Sequence, residues 1–114
     1  MTDSELCDST IWLEYLIKGS FKEKLEQEKM FTLSSLSLFE IKRKLLKNKE
    51  IKKKEIEEKL SFIKSKSTII PLDEIIAEKA AEVAEEKDFG AADAIIYTTA
   101  LLNNCTLLTL DNDF

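Results

Sequence analysis

Residues 90–114 read GAADAIIYTTALLNNCTLLTLDNDF, and this stretch decides the fold. After Gly90 the pattern predicts a helix from about Ala92 to Leu102, and Asn103 and Asn104 are natural stop residues. Thr106 to Leu110 then gives the clearest strand in the chain, with Asp111 at its carboxyl end. A helix that feeds a strand is the repeating unit of an α/β sheet. Two acids, Asp93 and Asp111, stand at its ends in otherwise apolar surroundings.

The same arrangement recurs towards the N-terminus. Leu6 and Cys7 form a short strand that ends in Asp8, and a helix follows through Ile11, Trp12, Tyr15, Leu16 and Ile17 to a stop near Gly19. A second short helix is expected over Phe21 to Glu28. Met30 to Leu33 fits a second strand, and serines 34, 35 and 37 supply N-cap candidates for a helix that carries Glu40 and runs to about Lys47. Ile51 to Lys64 has apolar residues near helical spacing at Ile51, Ile56, Leu60 and Ile63. Thr68 to Ile70 reads as a third strand. Pro71 and Asp73 then open a helix with an apolar face of Ile75, Ile76, Ala80, Val83 and Ala84, ending near Asp88. Strands separated by helices imply a parallel sheet of about four strands with helices on both faces.

Asp8, Glu40, Asp93 and Asp111 each lie inside an apolar run. A buried charge costs several kcal/mol unless it is paired or coordinates a cation, so four such positions point to a shared metal site. In an open α/β sheet ligands bind outside the carboxyl ends of the strands, where Asp8 and Asp111 fall. Glu40, in the first turns of the helix leaving the second strand, belongs to the same edge. Two consecutive helices precede the last strand, so spacing alone does not fix the edge at which Asp93 lies. Each acid also has an ordinary structural explanation. Ser37 and Glu40 form the S-x-x-E of a capping box, Asp8 can cap its own helix, Asp93 suits a helix N-terminus, and Asp111-Asn112-Asp113 is common turn chemistry.

Composition narrows the chemistry further. A chain of 114 residues with 44% hydrophobic content and nine aromatics fits one domain with a real core. No segment approaches the ~18 uncharged apolar residues of a membrane span, and the N-terminal MTDSELCDS lacks signal-peptide features, so a soluble, cytoplasmic protein is expected. Cys7 and Cys105 read as buried reduced thiols without metal-binding spacing. There is no histidine, which removes the usual triad base, the usual zinc ligand and the imidazole pair of metal-free ribonucleases. Any catalysis must run on carboxylates, lysines or hydroxyls.

The net charge is −5, unevenly spread: residues 42–66 carry eleven basic and four acidic residues, leaving a local +7 in a protein otherwise at −12. Glu50 with Lys54, Lys54 with Glu58, and Glu55 with Lys59 have the i, i+4 spacing that supports a helix. A solvated helical face and an RNA-facing patch are both compatible with this run.

These residues resemble the PIN-domain nucleases, especially the VapC-like toxins of prokaryotic toxin–antitoxin pairs. The likeness spans Leu6 to Phe114. Its most specific part is Asp93-Ala94-Ile95-Ile96 with Thr99-Ala100, followed by Thr109-Leu110-Asp111-Asn112-Asp113-Phe114, which looks like the family's T-x-D-x-x-F motif. The opening Leu6-Cys7-Asp8-Ser9 and the segment Ser37 to Ile41 are also typical. The resemblance implies a PIN-like three-layer α/β fold over 1–114 as a single domain. Such proteins usually continue past the motif into a final C-terminal edge strand, which a chain stopping at Phe114 would lack.

By the same resemblance, Asp8, Glu40, Asp93 and Asp111 would be the catalytic quartet holding one or two divalent cations. Ser9 and Thr109 would support them, and Asp113 would be an auxiliary acid. The helix bearing Asp93 would return its acid to the catalytic edge. Hard oxygen ligands favour Mg²⁺ or Mn²⁺, which can supply a hydroxide-like nucleophile and stabilise charge on a scissile phosphate. The implied activity is a metal-dependent endoribonuclease acting on RNA, with Lys42 and Arg43 guiding the backbone. Implied partners are a VapB-like antitoxin and a second copy of the chain in a homodimer. The alternatives are a PIN nuclease of RNA processing or quality control without an antitoxin, and a PIN-like binding module without catalysis. A phospho-acceptor receiver domain is less well matched, since it needs an acidic pair near the first strand and a lysine after a late one.

Overall fold

A computed structural model describes residues 4–114; the first three residues, part of the N-terminal stretch discussed above, lie outside the described residues. Four strands, β1 (Glu5–Cys7), β2 (Phe31–Ser34), β3 (Ser67–Ile70) and β4 (Thr106–Leu108), form one all-parallel sheet in the order β3-β2-β1-β4. Six helices connect them: α1 (Ser9–Lys18), α2 (Lys22–Leu25), α3 (Ser35–Lys47), α4 (Lys53–Ser65), α5 (Glu74–Lys87) and α6 (Ala91–Leu102). The expected α/β architecture, a four-strand parallel sheet flanked by helices, is therefore the one observed.

Strand alternation divides the core between the two faces. In β1, Cys7 faces one side and packs with Ile11 and Trp12 of α1, Phe31 and Leu33 of β2, Ile41 and Leu45 of α3, and Ile56, Leu60 and Ile63 of α4. Leu6, one residue earlier, faces the other side and packs with Ile96 and Ala100 of α6. Register keeps the faces consistent, because Leu6 lies opposite Thr32 and Leu107 while Cys7 lies opposite Leu108. Both central strands are covered on both faces, as a parallel sheet requires. Trp12 sits fully buried with Tyr15, Phe31 and Phe62 edge-on around it. Both cysteines are free thiols; Cys7 is buried, and burial pushes its thiol up to about 12, while Cys105 is half-buried.

Several boundaries differ from the expectation. The helix expected over 21–28 is only Lys22–Leu25, because Phe21 enters it in the left-handed region (φ 62°) and the chain leaves at Glu26. Helix α4 starts at Lys53, so Ile51 packs from the preceding turn rather than from the helix. None of the three i, i+4 pairs of the lysine-rich segment forms an ion pair among the described residues. Glu55 instead reaches back to the Lys52 backbone N–H at 3.4 Å. Gly19 does end α1, in the left-handed conformation (φ 76°) with its N–H bonded to the Tyr15 carbonyl.

The connection through α5 and α6 settles the direction of Asp93. Helix α6 delivers the chain to Thr106 at the amino end of β4, where the Thr106 N–H bonds to the Ser4 carbonyl at 2.9 Å. Its first turn therefore lies at the carboxyl edge of the sheet. Helix α5 leaves that same edge from Ile70 and reaches α6 again through three residues, so both of its ends stand on the carboxyl side.

Leu33→Ala, which empties a fully buried position between sheet and helices, should cost about 2–5 kcal/mol. Urea unfolding followed by the fluorescence of Trp12, the sole tryptophan, gives the value directly.

Candidate active site

Asp8 follows the last residue of β1 and caps α1. Its Oδ1 accepts from the Thr10 N–H at 3.0 Å, from the Thr10 hydroxyl and from the Ile11 N–H, while Oδ2 accepts from the Thr109 hydroxyl. Only 3% of the residue is exposed, so the charge is held by four donors and by the positive end of a helix. The capping explanation for Asp8 therefore holds.

The loop after β4 is tied to the same carboxylate. The strand was expected to reach Leu110 but ends at Leu108, because side chains replace the ladder from Thr109 onwards. The Thr109 hydroxyl, besides donating to Asp8, accepts from the Asp111 N–H at 2.9 Å, and the Thr10 hydroxyl accepts from the Leu110 N–H at 2.9 Å. Asp111 Oδ1 then accepts from the Asp113 N–H at 2.9 Å, the turn chemistry expected of that tripeptide. Phe114 closes the loop by packing edge-on against Phe89, itself edge-on to Tyr97 of α6.

Glu40 lies in the second turn of α3. The capping box expected from Ser37 and Glu40 does not form, because β2 runs to Ser34 and that serine is the cap, accepting from the Leu36 N–H at 3.2 Å. Ser37 is thereby drawn into the helix and buried. Glu40 is freed to face α1, where the Ser9 hydroxyl donates to its Oε1 at 3.1 Å. Burial, and then the charges of Asp8 and Asp93, push the Glu40 carboxyl above its ordinary range, against the opposing pull of the Ser9 hydrogen bond.

Asp93 stands in the first turn of α6, with Gly90 as the N-cap. One oxygen from each of Asp93, Asp111 and Asp113 falls within a set spanning no more than 4.8 Å. Burial pushes the Asp93 carboxyl up, and the charges of Asp111, Asp113 and Asp8 and a hydrogen bond with Asp111 push it further.

The five acids thus meet at one edge, supported by Ser9 and Thr109. The tightest cluster among the described residues is Asp93, Asp111 and Asp113, the last of them exposed. Thr10 was missed by sequence reasoning; its only sequence signal is its position two residues after an N-cap acid, where a backbone N–H is normally claimed. Arg43 lines a cleft shared with Ser9 and Glu40 and also borders the adjoining groove of Leu38 and Leu46, whereas Lys42 lines that groove alone.

The donor set fits a hard divalent cation. Oxygens on one octahedral Mg²⁺ are about 3.0 Å apart when adjacent and about 4.2 Å when opposite, and the three carboxylate oxygens already lie within 4.8 Å of one another, so side-chain adjustment would bring them onto one ion. All the acidic donors are carboxylate oxygens, with no sulfur or imidazole to favour zinc or copper.

Compared with known families, residues 6–114 match the PIN domain. The chain belongs to the PIN-domain family. PIN domains are typically metal-dependent nucleases, and this one shares its fold with structures of toxin–antitoxin systems. A chain of a toxin–antitoxin complex from Klebsiella pneumoniae superposes with a TM-score of 0.82 at 24% identity, covering 97% of this PIN domain and 90% of that chain. A chain of VapBC2 from Rickettsia felis, solved bound to a promoter DNA fragment, gives 0.76 at 25% identity, covering 94% and 87%. VapC20 of Mycobacterium tuberculosis, a sarcin–ricin loop cleaving toxin, gives 0.73 at 15% identity, covering 96% and 92%. No curated protein sequence matches significantly. Among the described residues of this PIN domain, no helix is long and apolar enough to cross a membrane.

Because Glu40 and Asp93 bind their protons more tightly folded than unfolded, their contribution to stability is fullest in acid. It is lost as the pH rises from the ordinary carboxylate range through the raised folded values. The metal-free protein should therefore melt higher near pH 5 than these two groups would allow at pH 7, and Asp93→Asn should raise the neutral-pH melting temperature while flattening that dependence. Thermal melts in EDTA across this range check both. Thr109→Val should act in the opposite direction, costing about 1–3 kcal/mol by leaving Asp8 short of a donor.

Proposed function

We propose that this PIN domain is an endoribonuclease that depends on Mg²⁺ or Mn²⁺ and acts as the toxin of a VapBC-type pair. The observation that carries the reading is the convergence of Asp93, Asp111 and Asp113 within 4.8 Å, with Asp8 close enough to raise the proton affinity of both Glu40 and Asp93. Like charges brought this close are unfavourable without a counter-charge.

Asp93, Asp111 and Asp113 would hold the cation, with Asp8 and Glu40 completing the acidic wall. When bound, the cation supplies a nucleophilic water at neutral pH and offsets the charge developing on the phosphate. The chain's own residues do the positioning. Thr109 and Thr10 fix the Asp8 carboxylate, and three of its donors occupy Oδ1, so Oδ2 keeps acceptor capacity beyond the Thr109 bond. Ser9 holds Glu40 through Oε1, leaving Oε2 to ligate or to accept a proton. The reaction is hydrolysis of an RNA phosphodiester to a 5′-phosphate and a 3′-hydroxyl. No histidine is required for it.

The toxin assignment draws on the fold's likeness to chains of toxin–antitoxin complexes. The partner would be a VapB-like antitoxin that covers the acidic edge, and a homodimer is the expected assembly, for which exposed Leu72 and Ile75 offer apolar surface. An RNA-processing PIN nuclease would have the same site and no antitoxin.

Incubation with a mixed pool of structured and single-stranded RNA should give cleavage in Mn²⁺ or Mg²⁺ and none in EDTA. Asp93→Asn should lower the rate at least ~100-fold and Ser9→Ala about 10-fold, the difference expected between a ligand and a residue that orients one. Equal cleavage by wild type and Asp93→Asn would sink the assignment.

A further inference from the structure

The sequence's basic run is not absorbed by the acidic site, and part of it opens directly onto that site. A cleft of about 350 Å³ is lined by Ser9 and Leu13 of α1, Phe39, Glu40, Arg43 and Lys47 of α3, and adjoining residues. Helix α3 begins at the carboxyl end of β2 and runs away from it. Glu40, Arg43 and Lys47 follow one another at i, i+3 and i+7, so they share one face of the helix and step outward over about 10 Å. Arg43, Lys44 and Lys47 are exposed, and none is ion-paired among the described residues. Phe39 presents 59% of its surface to solvent at the same cleft, whose walls are otherwise apolar at Leu13 and Leu36.

We propose that this cleft seats the nucleotide next to the scissile phosphate, with Phe39 stacking on its base and Arg43 and Lys47 holding the phosphates that follow along α3. The proposal rests on the nuclease reading above and adds to it a direction and a subsite. The cleft lies at the small end of ligand-pocket volumes, suited to one nucleotide and too narrow for a duplex. Stacking on Phe39 requires an unpaired base, so the strand leaving the site is single-stranded on this side. A basic peptide segment able to neutralise the acids would be repelled by three free cations along the same path, whereas a polyanion gains from them. Lys42, on the neighbouring face, takes no part.

The test combines binding and cleavage. A short fluorescein-labelled single-stranded RNA is titrated with wild type, Phe39→Ala, Arg43→Ala, Lys47→Ala and a Lys53→Ala/Lys54→Ala control on α4, over a salt series, and the same proteins are assayed for cleavage. Phe39→Ala should weaken binding about fivefold, the lower end for an exposed stacking contact. Arg43→Ala and Lys47→Ala should each reduce the slope of log affinity against log salt by about one and raise KM with kcat within about twofold. The α4 control should match wild type. If the three cleft variants bind and cleave as wild type does, or weaken no more than the α4 control, the proposal is overturned and the cleft becomes a surface for a protein partner. Binding that depends on the cleft residues without any cleavage by wild type would uphold the subsite and remove the nuclease reading. Absence of RNA binding by wild type would overturn both.

Discussion

A buried carboxylate must be satisfied by donors or it will shed its charge, and Asp8 is satisfied by donors from the two ends of the sequence. Thr10 and Ile11 approach from the start of α1 and Thr109 from beyond β4, about a hundred residues later. The Thr10 and Thr109 hydroxyls then accept from Leu110 and Asp111 in turn. The outcome is a closed hydrogen-bond circuit in which each hydroxyl both donates and accepts. This circuit, rather than sheet pairing, fixes the loop that carries Asp111 and Asp113, because β4 has already ended at Leu108.

The other acids are arranged around that fixed charge at the expense of local electrostatics. Asp93 sits where a helix N-terminus favours an anion, which offsets part of its repulsion from Asp111 and Asp113. Glu40 gains a hydroxyl from Ser9. Neither compensation is complete, as the raised proton affinity of both groups shows. A fold that concentrates uncompensated like charges at the carboxyl edge of its sheet departs from local consistency at that edge and nowhere so plainly elsewhere, and such departures are expected at functional sites.

Much of this was legible in the sequence, for identifiable reasons. Apolar runs end at Cys7 and Leu110, so the acids that follow could be assigned to strand ends, although β4 itself stops at Leu108. What could not be read was anything decided by competition between two good local options. Ser37 with Glu40 is a valid capping box, yet Ser34 caps the helix because β2 runs one residue further than its apolar pattern suggests. The lysine–glutamate spacings on α4 permit ion pairs, but solvated side chains at that surface gain little from forming them. The edge reached by Asp93 depended on α5 beginning and ending on the same side of the sheet, a tertiary fact with no local signature.

The charge distribution gives the last constraint. A protein at net −5 with its acids gathered at one edge repels a polyanion from that edge unless cations lie within a Debye length, roughly 8–10 Å under ordinary salt. Residues on α4 satisfy composition but carry no connection to the acids. Arg43 and Lys47 do, because the helical repeat that places Glu40 at the site places them in sequence along the same face. The distinction between Arg43 and Lys42 is then one of phase: a step of one residue turns the side chain by about 100° around α3, so Arg43 borders both the cleft beside the acids and the adjoining groove, while Lys42 borders the groove alone. Position along the helix, more than the count of basic residues, determines which of them a strand bound at the acidic edge would meet.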